Sequence, residues 1–182
     1  MRRLLHALLL GLVGAGIVHI VVLMLVPDFS ERDAWLRLAM ASDLYKVTRL
    51  DTEAGSAPVV KSVDPLFHAV ACRFDLQDGP VQVTAPGGVP FWSVSVYDRN
   101  GHNLYSFNDR TTTNGTLNAI VLTPAQMIEV RKELPEGLEG SVFVESDIGE
   151  GIVVIRAFVP DDSWKPAVAR FLDQSACKLQ QF

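Results

Sequence analysis

Reactive signatures are what this chain lacks. Its four histidines, His6, His19, His68 and His102, stand apart, with no HxH or HExxH pair to hold zinc. No GxSxG surrounds a serine and no CxxC joins the two cysteines, so neither a hydrolase elbow nor a thioredoxin-type redox pair is present. No metal site and no cofactor are expected. Lys and Arg number 16 against 21 Asp and Glu, a net charge of −5, and no run of like charge breaks that balance. A nucleic-acid partner, which needs a basic face, is therefore excluded. Solenoid-length repeats and low-complexity tracts are also missing.

One apolar run is abundant instead. "ALLLGLVGAGIVHIVVLMLV", residues 7–26, is broken only by His19. At about 1.5 Å rise per helical residue it forms a rod of roughly 30 Å, the thickness of a bilayer's hydrocarbon. It is apolar all round, whereas a core helix is apolar on one face. A cleaved signal peptide would share Arg2 and Arg3 but should leave through small residues, and the exit "LMLVPDFSERD" is bulky. The preferred reading is an uncleaved transmembrane signal anchor over 1–29, lying in the lipid bilayer through residues 7–26. Positive residues stay in the cytoplasm. The remainder is thus expected beyond the inner membrane, in the periplasm of a two-membrane bacterium.

Ala7, Gly11, Ala15 and His19 recur every fourth residue and share one helical face. That small-residue stripe suits a second membrane helix, making a homo- or hetero-oligomer an expectation. The alternative is a neutral His19 bonded to a backbone carbonyl or a water, with no partner helix.

Residues 30–63 read as a short amphipathic helix and a linker. Ser30 and Asp33 have capping-box spacing, Trp35, Leu38 and Ala39 mark the apolar stripe, and "LDTEAGSAPVV" is a polar bridge. Trp35 alternatively sits at a membrane interface. Residues 64–182 are long enough for one domain with a core. "DPLFHAVACRF" is expected to be a turn of helix carrying His68 and Cys72.

Beyond it the pattern alternates: "GPVQVTA", "VPFWSVSVYD", "HNLYSF", "LNAIVLT", "SVFVE" and "GIVVIRAFVP" read as strands. Asn100-Gly101 marks a hairpin. "PAQMIEVRKEL" is a helix, "DIGEG" is expected to fold the last two strands onto each other, and "DDSWKPAVARFLDQSACKL" closes the chain as an amphipathic helix with Trp164, Val168, Phe171 and Leu172 inward. The fold class is α+β, an N-terminal transmembrane helix followed by one largely antiparallel sheet with packed helices.

Cys72 and Cys177 both fall on the exported side, where a disulfide is favoured over two buried thiols. Closing a loop of about 100 residues is worth roughly 4 to 5 kcal/mol on chain-entropy grounds. In "FWSVSVYD", period two places Phe91, Ser93, Ser95 and Tyr97 on one face and Trp92, Val94, Val96 and Asp98 on the other. The hydroxyl-bearing face suits an amphiphilic ligand, or equally a solvent-exposed or helix-covered sheet face. Arg156, alone in "IVVIRAFV", needs a carboxylate such as Asp98 or Asp109, solvent or an anionic ligand. "NLYSFNDRTTTNG" adds Asp109 and Arg110 in a loop after a strand. The ligand-binding candidates are Arg73, Ser93, Ser95, Tyr97, Asp109, Arg110 and Arg156.

The stretches "FWSVSVYDRNGHNLYSFNDR", "VVIRAFVPDDS" and "HAVACRFDL" resemble an uncharacterised bacterial membrane-protein family, the domain of unknown function 1254. They are also similar to its relative 1214, which carries a like FWS-x-x-x-YD strand and a later Arg-containing strand ending near a proline. The likeness covers Asp64 to Ser163. It implies a β-rich envelope domain, single-pass anchored in short members, with no established reaction. Longer relatives carry two modules, and this chain corresponds to one.

Two functions are expected to compete. One is a noncatalytic periplasmic envelope protein that binds a partner protein or a small amphiphile. The other is a hydrolase-like enzyme whose site draws together His68, Arg73, Tyr97, Asp109 and Arg156, and it requires those five to converge.

Overall fold

Apolar residues at alternate positions leave each strand one face to bury, and the chain answers with two sheets laid face to face. The computed structural model describes residues 2–50, 59, 64–112, 114–132, 134, 135 and 137–180, with the side chains of 26–33 excepted. Its elements run α1 (Arg2–Ala41), β1 (Val47–Arg49), β2 (Phe67–Asp75), β3 (Val81–Ala85), β4 (Trp92–Asp98), β5 (Asn103–Asn108), β6 (Leu117–Leu122), α2 (Pro124–Lys132), β7 (Val142–Glu145), β8 (Glu150–Phe158), α3 (Lys165–Asp173) and β9 (Ala176–Leu179). Short 3-10 turns occupy Asp109–Thr111 and Asp162–Trp164.

The single sheet expected from sequence is thus two. The first has five strands in the order β1-β2-β8-β4-β5, all antiparallel; the second has four in the order β7-β6-β3-β9, with β6 and β7 parallel. Between them lie Val70, Phe74, Val83, Trp92, Val94, Val96, Val121, Val153 and Ile155, closed at one end by Val168, Phe171 and Leu172 of α3. Each outer face carries a helix. Trp35 and Leu38 of α1 pack on Ala71 and Ile152 of the first sheet, and Val130 of α2 packs on Ile120 and Leu122 of the second. Thr123 and Gln126 form a reciprocal capping box at the start of α2, at 2.9 and 3.3 Å.

Several sequence expectations are corrected. The segment carrying His68 and Cys72 is strand β2, not a helical turn, because nine residue pairs with β8 outweigh the local helix propensity of its alanines. Cys177 lies on β9 rather than on a continued terminal helix, which stops at Asp173. Trp164 sits in a 3-10 turn and is 37% exposed. The "DIGEG" segment does not pair its flanking strands; it carries the chain from β7 in one sheet to β8 in the other. The hairpin at Asn100-Gly101 is present, joining β4 to β5 with Gly101 at φ 87°. Gly151 has no room for a side chain, since a Cβ would overlap the Phe74 ring and meet the Tyr97 carbonyl oxygen at 2.8 Å.

α1 is continuous where a boundary at residue 29 and a fresh helix start at Ser30 were expected. Its first part, Arg2–Leu25, is the one described helix long and apolar enough to cross a membrane, and none of it is buried. Gly11, Ala15 and His19 lie exposed along it. The polar bridge at 50–60 falls, apart from Leu50 and Val59, outside the described residues. β1, within the expected linker, instead extends the first sheet by pairing with β2.

Cys72 and Cys177 form a disulfide with Cα atoms 6.5 Å apart, stapling β2 of one sheet to β9 of the other across 105 residues of sequence. The Cys72→Ala/Cys177→Ala double variant is expected to lose about 2 to 5 kcal/mol of stability in urea unfolding. An unchanged midpoint and slope would show that the staple contributes nothing.

Candidate functional site

The outer face of the first sheet holds most of the residues singled out from sequence. Odd and even positions separate along each strand. Arg73 on β2, Ser93, Ser95 and Tyr97 on β4, and Arg156 on β8 all point outward, away from the core formed by Trp92, Val94 and Val96. One row across the sheet reads Ala69, Arg156, Ser93, Asn108, and the next reads Ala71, Val154, Ser95, Ser106.

Much of that face serves α1. Trp35, 6% exposed, lies between two guanidiniums, with Arg73 at 5.1 Å and Arg99 at 5.4 Å from its ring. Arg73 Nη2 also donates to the carbonyl of Ser42 at 2.7 Å, placing a cation just past the carboxyl end of the helix. Arg99 is tied in turn to Glu150. Tyr97 packs with the same apolar cluster, and Ser95 is buried, 2.9 Å from the Ser106 hydroxyl. Arg73 and Tyr97 are therefore engaged by the docked helix, while Ser95 is bonded to the neighbouring strand β5.

Arg156 is exposed on the central strand and rests 5.9 Å from the Phe67 ring, beside Phe158 and Phe91. The expected pairing with Asp98 or Asp109 does not occur. Asp98 instead organises the β4–β5 hairpin: its carboxylate accepts from the amides of Asn100 (2.9 Å) and His102 (2.8 Å) and meets His102 Nδ1 at 2.8 Å. Burial pushes the Asp98 carboxyl up, and these His102 and Asn100 contacts outweigh it, holding it below the ordinary carboxylate range. Asp109 and Arg110 follow β5 in a 3-10 turn that Asn108 caps, its side chain accepting from the Arg110 amide at 3.1 Å.

The five side chains of the hydrolase reading do not meet. His68 belongs to the opposite face of β2, where Nδ1 lies 3.3 Å from Arg49. Arg156 stands opposite Ser93, four residues along β4 from Tyr97, a separation of about 13 Å along the strand. Asp109 is at the far edge, past β5. Among the described residues, no group of three or more His, Cys, Asp or Glu gathers as a metal site.

Sequence reasoning missed one concavity. A cleft of about 490 Å³ opens at the margin of the sandwich between β1 and β9, beside the disulfide. Val47, Val70, Leu172 and Cys177 give it apolar walls, while Lys46, Arg49 and Lys178 bring charge. Arg49 reaches Asp173 at 3.3 Å. Tyr45 closes one end: its hydroxyl lies 2.6 Å from Asp78 Oδ2 and 2.9 Å from the Asp75 carbonyl oxygen. The one signal for this site was the cysteine pair, since the staple joins β2, the partner of β1, to Cys177 on β9.

Burial, with the Asp78 carboxylate beside it, pushes the Tyr45 hydroxyl up to about 12. The folded state thus favours the neutral phenol. That contribution is whole below the unfolded pKa of about 10 and is lost as pH rises towards the folded value. Tyr45→Phe is expected to cost about 1 kcal/mol at pH 7 and to flatten the loss of stability above pH about 10, measured by urea unfolding across that range. An equally steep alkaline loss in the variant would place its origin elsewhere.

The fold resembles that of a solved structure, and a weaker match accompanies it. The VPA0106 protein from Vibrio parahaemolyticus matches with a TM-score of 0.60 at 13% identity, over 83% of this chain and 35% of that one. A putative uncharacterized protein from Burkholderia cenocepacia gives 0.48 at 12% identity, over 73% and 36%. The chain accordingly spans about a third of the length of these proteins (35% and 36%). No curated protein matches it. The model of the family described as "Protein of unknown function (DUF1254)" matches residues 44–179, from just past α1 through β9. The chain belongs to that family.

Proposed function

We propose that this protein is a single-pass, membrane-anchored module of the bacterial cell envelope, with its sandwich in the periplasm, and that it works by binding rather than by catalysis. The observation that carries this reading is the continuity of α1. One helix leads from a 24-residue apolar segment, Arg2–Leu25, into the turn that docks Trp35 and Leu38 on the first sheet. Trp35 lies ten residues beyond Leu25, a rise of about 15 Å, which would hold the sandwich close above the lipid headgroups. Arg2 and Arg3 favour a cytoplasmic amino terminus. The disulfide suits an oxidising compartment.

Binding is favoured over hydrolysis because the acid, base and cation candidates face different surfaces, whereas the cleft offers apolar walls and polar anchors of the kind ligands use. A ligand would be a small amphiphile. A partner protein, such as a related module of the kind proposed for the longer relatives of the 1254 and 1214 families, would meet this chain through the stripe at Gly11, Ala15 and His19 or through the exposed Arg156 face. Alkaline carbonate extraction of bacterial membranes should leave the full-length chain in the pellet, and protease added to spheroplasts should digest the sandwich. Release into the supernatant, or a mature chain beginning after residue 26, would sink the anchored reading. Crosslinking in intact membranes should give a species larger than the monomer, and a lone monomer would remove the protein partner.

A further inference from the structure

The cleft between β1 and β9 has a charge that runs against the rest of the molecule. The chain as a whole is −5, yet three cations, Lys46, Arg49 and Lys178, line this cleft against one acid, Asp173. That acid already lies 3.3 Å from Arg49. Lys46 meets Asp43 at 2.6 Å in an exposed pair, which water screens. Lys178 makes no ion pair among the described residues. Below this rim lie Val47, Val70, Leu172 and the buried sulfur of Cys177. The volume, about 490 Å³, falls in the range of roughly 300 to 1,000 Å³ typical of small-molecule sites.

We infer that this cleft binds a single-chain anionic amphiphile, its hydrocarbon against Val47, Val70 and Leu172 and its headgroup among Arg49, Lys46 and Lys178. The inference rests on the reading of the protein as a binding module and names its ligand. An apolar chain gains from leaving water, and an oxyanion gains charge-assisted hydrogen bonds from guanidinium and ammonium groups. A cationic headgroup would meet repulsion at the same rim, and a neutral one would lack the ionic contact. An extended peptide is a poorer occupant, because the free edges here belong to strands of three and four residues, too short for a ladder. Carboxylate and phosphate headgroups share the required chemistry, one the mark of a free fatty acid and the other of a lipid.

The test uses the full-length chain in phosphatidylcholine nanodiscs, titrated calorimetrically with dodecanoate, dodecyl phosphate, dodecanol and dodecyltrimethylammonium, with empty discs subtracted. Saturable binding of one anion per chain is expected, with the tighter of the two anions identifying the source, and none for the alcohol or the cation. Lys178→Glu should weaken anion binding about tenfold. Lys178→Gln should weaken it less, and it serves where the reversal impairs folding. Equal uptake of dodecanol, uptake matching empty discs, or unchanged affinity in both Lys178 variants would overturn the inference. A chain that stays in carbonate-washed membranes yet takes no anion loses this inference alone. A chain that carbonate releases loses the anchored reading whatever the titration gives.

Discussion

The antiparallel embrace of β8 by β2 and β4 is the constraint on which the rest of the molecule depends. β8 is the central strand of the five, paired over nine residues with β2 and seven with β4. Its inward residues, Val153, Ile155 and Ala157, are buried in the core against the second sheet, and its outward Ile152 is buried under α1. A strand buried on its inward face, and outward at Ile152, tolerates little adjustment there. Gly151 shows how little, since even a methyl group there would strike the Phe74 ring.

From that centre the molecule becomes progressively less closed. Each outer face is partly covered by a helix and the core end by α3, but among the described residues the margin between β1 and β9 has no further strand to seal it. The disulfide lies at that margin. It ties the two sheets together there, and Cys177 forms part of the wall of the cleft. The staple and the candidate cleft thus share one location, an open edge of the sandwich.

What could be read in the sequence follows the same division. Strands β3 to β8 were legible because they are rich in β-branched and aromatic residues and bounded by turn residues, and in β3 burial alternates with period two. β2 was misread because Ala69, Ala71 and the neighbouring Leu66 carry helix propensity, and its strand character comes from pairing with β8, whose residues are about 75 to 91 positions away. The division into two sheets was hidden because alternation tells a residue's face but not its partner. The common face of Ser93, Ser95 and Tyr97 was legible from alternation within β4, but that Arg73 and Arg156 join it was not, because that depends on the pairing of β2 and β4 with β8. That α1 covers part of it was only one of several options, because the pattern of a docked helix and that of a ligand surface are alike. The cleft was not read, because apart from the cysteine pair nothing in the local spacing encodes the nearness of the two segments that form it.

α1 has a geometric consequence beyond holding the domain. Between Leu25 and Trp35 it contains no break in which rotation could be absorbed. The bearing of the Gly11, Ala15 and His19 face about the helix axis is therefore locked to the bearing of the first sheet. Each residue inserted or removed in that shaft would swing one against the other by about 100° and change their separation by about 1.5 Å. Length in this segment acts as an angular setting, so whatever meets the small-residue face and whatever meets the sandwich are held in a fixed mutual orientation.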